Sequence, residues 1–208
     1  MTRENRTHGF PSYEGPDPAR FPGEWGTVVG TVSAPVGGSV TFQFLPLGEH
    51  WIDDLQIGFR DALPDDAEFM LSSWLRSHRD MGDWPGRVSK GRYFDEHKLV
   101  VMGLLAKSKV LVACEVLRPD RIAGFIVWEP ADQGACRPHV LHWLHVRHEW
   151  RRAKLARGLL ERARLLTDTA PDAWHVGLAC SHWTRHAQTM RERGYPLVYN
   201  PFLLETRS

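Results

Sequence analysis

The sequence predicts a mixed α/β domain, and three observations carry the prediction. Residues Val140 to Val146 alternate with period two and then give way, within a few residues, to helical spacing. Lys109 to Val116 and Ile122 to Glu129 are β-branched and apolar runs around the turn-forming Arg118-Pro119-Asp120, which reads as a hairpin. From residue 55 onward the order is strand, two helices, three strands, helix, strand, helix, strand. At 208 residues the chain can bury the core of one domain and carry an extension.

Residues 1–25 hold Pro11, Pro16, Pro18 and Pro22 among glycines with few aliphatics, the composition of an extended or disordered lead. Within 26–50, Thr27 to Ala34 and Ser39 to Leu45 flank Pro35-Val-Gly-Gly38 and read as an additional β-hairpin, placed to cover a sheet edge or to meet a partner. The main domain is 51–208. A strand at Phe59 leads to a helix over Asp65 to Arg79, with Asp65 or Asp66 capping or charging its start and Phe69, Met70 and Trp74 turned inward. Tyr93 to Ser108 is a second helix, with Phe94, His97, Val101, Leu104 and Leu105 at core spacing. After the hairpin, strand alternation places Leu141, Trp143 and His145 on one face and His142, Leu144 and Val146 on the other. Leu155, Leu159 and Leu166 then form the apolar side of an amphipathic helix, with Arg157, Glu161 and Arg164 turned away. Ser181 is placed to cap the last helix.

The 26 basic and 25 acidic residues leave a net charge of +1, so the surface as a whole is not built for a polyanion and any basic function is local. No apolar run approaches the roughly 20 residues of a membrane span, and the first residues lack the apolar core of a signal peptide, so a cytoplasmic protein is expected. Cys114, Cys136 and Cys180 are too few and too widely spaced for a disulfide framework or structural zinc, and Cys114 reads as core. His139, His142, His145 and His148 recur every third residue. That spacing throws alternate side chains to opposite faces of a strand, so these four do not converge on one ion and no metal is expected.

The most specific feature is the junction at Arg151, Arg152 and Lys154. Helices ordinarily carry acidic residues in the first turn, where the peptide dipoles and unpaired N–H groups are positive. Three cations there call for an anionic partner such as a phosphate.

Val146-Arg-His-Glu-Trp-Arg-Arg-Ala-Lys-Leu-Ala-Arg-Gly-Leu-Leu160 resembles the acetyl-CoA signature of the GCN5-related N-acetyltransferase (GNAT) superfamily, V-x-P-x-Y/F-R/Q-x-x-G-x-G/A-x-x-L-L. Trp150, Arg151, Ala156 and Leu159-Leu160 match it; His148 replaces the proline and Lys154 the first glycine. Phe59-Arg-Asp-Ala-Leu-Pro-Asp-Asp66 and Ile122-Ala-Gly-Phe125 are similar to the family's opening strand and its I-x-G-F/Y strand. The resemblance implies a central mixed, mostly antiparallel sheet flanked by helices, with acetyl-CoA as acyl donor and an amine as acceptor. The cofactor would lie where two strands diverge. By the same carry-over, Leu144, His145 and Val146 meet its pantetheine, and Arg151, Arg152, Ala153, Lys154, Leu155, Ala156 and Arg157 meet its pyrophosphate. His142 stands near a glutamate that serves many members as base, with Glu115 and Glu129 on neighbouring strands and His145 a weaker alternative. The family's usual acid tyrosine is replaced by Met190, leaving Tyr195 and Tyr199 nearby. Trp74, Arg76, Arg79 and the loop 81–86 are implied to contact the acceptor.

A finer similarity, in Ser73-Trp-Leu-Arg-Ser-His-Arg79, Ser181-His-Trp-Thr184 and Tyr199-Asn-Pro-Phe-Leu-Leu204, is to GNAT-like proteins of phages and prophages, some of which modify DNA bases. It implies a modified nucleobase as one acceptor. Lys154 and Met190 leave open a second class, a GNAT-fold module that binds a protein partner without turnover. A monomer or a homodimer fits either class.

Overall fold

The structure, a computed structural model, describes residues 28–33 and 39–44 through their backbone, and 57–82, 87–132, 137–165 and 178–204. The lead 1–25, the turn at Pro35, the loop from Asp83 to Gly86, Cys136 and Leu166 lie outside the described residues. Among these residues no helix is long and apolar enough to cross a membrane.

Eight strands form one sheet in sequence order: β1 (Val28–Ser33), β2 (Ser39–Phe44), β3 (Ile57–Asp61), β4 (Lys109–Glu115), β5 (Arg118–Glu129), β6 (Val140–Val146), β7 (Leu178–Cys180) and β8 (Leu197–Tyr199). Pairing is antiparallel from β1 through β6 and parallel for β6–β7 and β7–β8. Strands β1 and β2 pair antiparallel and lie along the β3 edge, joined at Gln43 and Phe59. Helix α1 (Ala67–Met81) and helix α2 (Lys90–Lys107) connect β3 to β4, α3 (Leu155–Leu165) connects β6 to β7, and α4 (Arg185–Glu192) connects β7 to β8.

Two apolar clusters show how the sheet is layered. On one face Met70, Trp74 and Leu75 of α1 and Tyr93, Val101 and Leu104 of α2 pack on Val112, Phe125, Val127 and Trp143. On the other, Leu155, Leu159 and Leu160 of α3 pack on Leu111, Ala113, Ile126 and Trp128, with Ala187 and Met190 of α4 against the same cluster. Gly124 sits at the closest point of strand and helix. A Cβ there would lie 2.6 Å from the His145 carbonyl oxygen and 3.4 Å from a Leu159 methyl, which explains the glycine in Ile122-Ala-Gly-Phe125.

Three sequence expectations need correcting. The β4–β5 turn is the two residues Val116-Leu117, and Arg118-Pro119-Asp120 already belong to β5, with Pro119 in the stretch between Arg118 and Ile122 that the β4–β5 ladder skips. Leu141 packs with Leu144 and Val146 rather than with Trp143, because β6 carries a bulge: Val127 faces Trp143 and Trp128 faces Leu141, leaving His142 as the extra residue and breaking the alternation. Thr184, not Ser181, caps α4, its hydroxyl accepting from the Ala187 N–H at 3.2 Å.

The motif around Phe59 owes its polar residues to a buried ion pair. Arg60 donates to both Asp66 carboxylate oxygens, at 2.6 and 2.9 Å, and to the Pro119 carbonyl at 2.9 Å. Asp66 also accepts the Leu63 N–H at 2.7 Å, so β3, the start of α1 and the β5 edge are tied at one point. Asp66→Asn should cost about 3–5 kcal/mol, because it leaves the buried Arg60 charge uncompensated. Replacing both residues with apolar ones of similar size should recover most of that, and denaturant unfolding of the single and double variants measures both.

Candidate active site

The site begins at the bulge. Beyond Leu141 and Cys180 the parallel strands β6 and β7 no longer pair; the last link is the Ser181 N–H to the Leu141 carbonyl at 3.3 Å. The backbone edge of β6 from His142 to Val146 therefore faces a wedge-shaped cavity of about 540 Å³. Its far end is the turn Arg151 to Lys154 and the first turn of α3. A 3₁₀ turn, His148–Trp150, is anchored by the buried Trp150, and α3 starts at Leu155, four residues later than the basic run suggests. Arg152 and Lys154 hold φ angles of 75° and 57°. Lys154 thus keeps the left-handed backbone that a glycine takes without strain, and its side chain is exposed rather than folded into the turn. The first three N–H groups of α3, on Leu155, Ala156 and Arg157, have no partner inside the helix by construction, and α3 has no acidic residue in its first turn. Arg151, Arg152 and Lys154 stand around these donors, which makes an anion cradle.

Of the expected cofactor contacts, Leu144, His145, Val146, Arg151, Arg152, Lys154, Leu155, Ala156 and Arg157 line the cavity; Ala153 does not. The expected acceptor contacts fare differently. Trp74 is fully buried and stacks on Trp143 at 5.4 Å, while Arg76 is exposed and neither it nor Arg79 lines the cavity. Helix α1 instead offers Ser77 and Met81, one turn apart on the next face round, opposite His182, Thr184 and His186. Glu115 is displaced from the site altogether. It is 2% exposed, held by Arg118 at 2.6 Å and Arg121 at 2.9 Å, and is a structural ion-pair partner at the β4–β5 turn. Tyr199 packs against Trp183 and lies outside the cavity wall, whereas Tyr195 and Met190 are in it.

His142 is in the wall and 2% exposed. Its Nε2 lies 3.0 Å from Glu129, whose same oxygen meets Lys107 at 2.9 Å. Its Nδ1 lies 2.8 Å from Ser181 Oγ, which is also 2.8 Å from His182 Nδ1. Burial pushes the Glu129 carboxyl up, but Lys107 and His142 outweigh it and hold it below the usual carboxylate range. A carboxylate accepts only, so His142 donates through Nε2 and accepts at Nδ1 from the Ser181 hydroxyl. Ser181 Oγ in turn accepts from His182 Nδ1–H, and the Nε2 of His182 is left as a lone pair. Burial keeps His142 below its ordinary pKa, with Glu129 opposing that shift and Lys107 adding to it. The sequence could not show this relay, because Ser181 and His182 meet His142 only through the parallel β6–β7 pairing. Elsewhere in the histidine repeat, His145 lies against Phe69 and Phe125, His139 accepts from the Ala131 N–H, and His148 is exposed.

No protein-family profile and no curated protein sequence matches this chain. Among solved structures it is similar to a candidate acetyl transferase from Pyrococcus furiosus, at 16% identity and a TM-score of 0.52 over 74% of this chain and 95% of that one. The fold is the GNAT fold. Lower in similarity are a candidate GNAT-family acetyltransferase from Desulfovibrio desulfuricans, 22% identical with a TM-score of 0.36 over 53% of this chain, of which the chain spans 65%, and an Escherichia coli GNAT-family N-acetyltransferase in complex with CoA, 17% identical with a TM-score of 0.39 over 73% of this chain and 66% of that one. Within this GNAT fold the splay of β6 from β7 and the basic entry to α3 are features of the chain's own geometry.

Several histidines around the site are held neutral. Burial, reinforced for His78 by neighbouring His97, lowers His78 to about 3 and His97 to about 4; burial and then Arg151 and Arg147 lower His145 to about 4. In the unfolded chain each titrates near 6.5, so below that pH the unfolded state binds more protons and stability falls with pH. The contribution is complete above about pH 6.5 and is lost progressively toward pH 4, by at most about 1.4 kcal/mol per pH unit for each ring. Denaturant midpoints at pH 7, 6 and 5, above the range where most carboxylates titrate, should decline steadily; a flat profile would show the rings charged in the folded protein.

Proposed function

We propose that the protein is an acetyl-CoA-dependent N-acyltransferase acting on a primary amine. One observation carries the reading: the cavity joins a bare strand edge to a basic helix entry, so a single extended ligand can pair its amides with one and seat its phosphates on the other. The pantetheine amides would hydrogen-bond to the β6 edge at Leu144 to Val146. The pyrophosphate would lie on the N-terminal amides of α3 beside Arg151, Arg152 and Lys154. The thioester then reaches the His142 end of the wedge.

There the amine nitrogen attacks the acyl carbon, the C–S bond breaks, and the amine proton must leave. Its route is the relay. A proton taken at His182 Nε2 displaces Nδ1–H toward Ser181, whose hydroxyl proton passes to His142, and the resulting imidazolium faces the Glu129 carboxylate. His142 is then the proton store rather than the group that touches the amine. The departing thiolate is a stable leaving group and needs no dedicated acid. Met190 supplies none; of the cavity-wall hydroxyls near it in sequence, Thr189 already donates to the Arg185 carbonyl at 3.0 Å, and Tyr195 is the phenol. Arg76 and Arg79, which favoured a nucleobase acceptor, are not in the wall, so the acceptor is assigned no more finely than an amine. Met190 is also the feature that favours the second reading, a module that binds the cofactor or a protein without turnover.

Titration calorimetry with acetyl-CoA and with CoA separates the cases. Arg151→Ala should weaken binding of both by about 10-fold, the worth of one charge-assisted phosphate contact. Lys154→Gly should bind within a few-fold of wild type, since the backbone already holds the glycine-like conformation. No binding to folded wild type would sink the acyltransferase reading. With binding established, thiol release in an amine screen should fall about 10²-fold or more in His142→Gln, whereas binding without thiol release by any amine would favour the module.

A further inference from the structure

The relay ends on a nitrogen with nothing to bond to. The imidazole of His182 is 5% exposed, and its Nε2 has no hydrogen-bond partner among the described residues. A buried polar atom in that state is destabilising unless something outside the chain binds it. Two more imidazoles surround it. His78 of α1 and His97 of α2 have ring centroids 4.8 and 5.4 Å from that of His182, and one ring nitrogen from each of the three lies within 4.8 Å of the others.

We propose that His78, His97 and His182 form a binding site for a divalent transition-metal ion of the zinc class. Three neutral imidazoles are a donor set suited to zinc, and imidazole is preferred by zinc, copper and nickel over the hard cations. Zinc binds nitrogen at about 2.0–2.1 Å, so tetrahedral ligand atoms stand about 3.3 Å apart; the three nitrogens lie within 4.8 Å of one another, and the stacked rings of His78 and His97, 4.5 Å apart at 27°, would turn apart to bring both lone pairs onto one ion.

The outer shell supports the same assignment. Histidine ligands almost always donate their second N–H to an oriented acceptor, which fixes the tautomer and raises the basicity of the ligating nitrogen. Tyr93 donates its hydroxyl hydrogen to the Leu75 carbonyl at 3.1 Å, and its oxygen therefore accepts from His78 Nδ1 at 3.0 Å, turning Nε2 into the lone-pair nitrogen. His182 donates Nδ1–H to Ser181 and is backed through His142 by Glu129. Two rings of the trio thus present the same nitrogen as an acceptor, each fixed by a buried hydrogen bond. The three come from α1, α2 and the segment after β7, so an ion would pin that segment to the opposite helices and set the width of the wedge. The histidine repeat in β6 plays no direct part, which is why strand spacing gives no hint of the site.

The test uses the full chain, without an affinity tag, stripped with a chelator and returned to metal-free buffer. Titration with Zn²⁺ should give one ion per chain with Kd at or below about 1 μM, and Co²⁺ should give the intense visible bands of a tetrahedral nitrogen site. His97→Gln should weaken Zn²⁺ binding at least 10-fold, and His148→Ala, which removes an exposed histidine, should leave it unchanged. Because His97→Gln could disturb the fold, the Co²⁺ spectrum of the wild-type chain stands as an independent arm. Absence of stoichiometric binding, an octahedral Co²⁺ spectrum, or equal loss in the His148 variant would overturn the proposal. Neither readout requires acetyl-CoA or acyl transfer, so the metal site stands or falls apart from the function proposed above.

Discussion

The organisation of the site depends on one extra residue. His142 is inserted into β6 opposite the Val127–Trp128 step, and parallel pairing to β7 ends at the same level. A bulge bends its strand and raises the local twist, and here it coincides with the point where β6 and β7 cease to pair. A strand without it would keep pairing, and the edge from His142 to Val146 would be consumed by β7 instead of facing a cavity. The same insertion turns Leu141 toward α3 and leaves Trp143 against Trp74. Both faces of the sheet are filled by residues whose sidedness the bulge determines.

The bulged residue is also the hub of the polar interior. A histidine at an inserted position escapes strict alternation, and this one reaches Glu129 on β5 and Ser181 beyond β7. Burying two imidazoles and a serine hydroxyl in the relay is costly unless each donor finds an acceptor. The chain meets that requirement by ordering the tautomers from one end, where Lys107 holds Glu129 ionised. The direction of every hydrogen bond downstream follows from that carboxylate. Ion pairs elsewhere have simpler work: Arg60–Asp66 fastens β3 to α1, and Glu115 with Arg118 and Arg121 closes the β4–β5 turn.

What could be read in the sequence was what is local along the chain. Element order from β3 to β8 follows from periodicity. The basic entry to α3 follows from the reversal of sign at Arg151 to Lys154, whereas Ile122-Ala-Gly-Phe125 is legible only through its resemblance to the family's strand. Side-chain facing on β6 was misread because a bulge has no signature in an alternating pattern: His142 looks like any other residue of the strand. Trp74 and Arg76 were assigned to a groove by analogy, yet their positions on α1 put one in the core and the other in solvent, and Ser77 and Met81 take the intervening face. Glu115 looked available because its partners, Arg118 and Arg121, lie across a turn whose position was two residues off. Residues that meet only through tertiary pairing, Ser181 with His142 and His182 with His78, could not be read at all.

Proton relay and metal ion make claims on the same atom. His182 Nε2 is the entry point of the relay and, with His78 and His97, a corner of the histidine trio. A lone pair engaged by an ion cannot take a proton, so the loaded and the proton-accepting forms exclude each other. A bound ion would withdraw density from His182 and make its Nδ1–H a stronger donor to Ser181, and the same chain of hydrogen bonds would transmit the ion's charge to His142. Glu129 answers both situations in the same way, by offering a negative charge at the far end. A carboxylate placed behind two neutral rings and a hydroxyl, rather than beside the reacting atoms, is suited to stabilise positive charge wherever along the line it arrives.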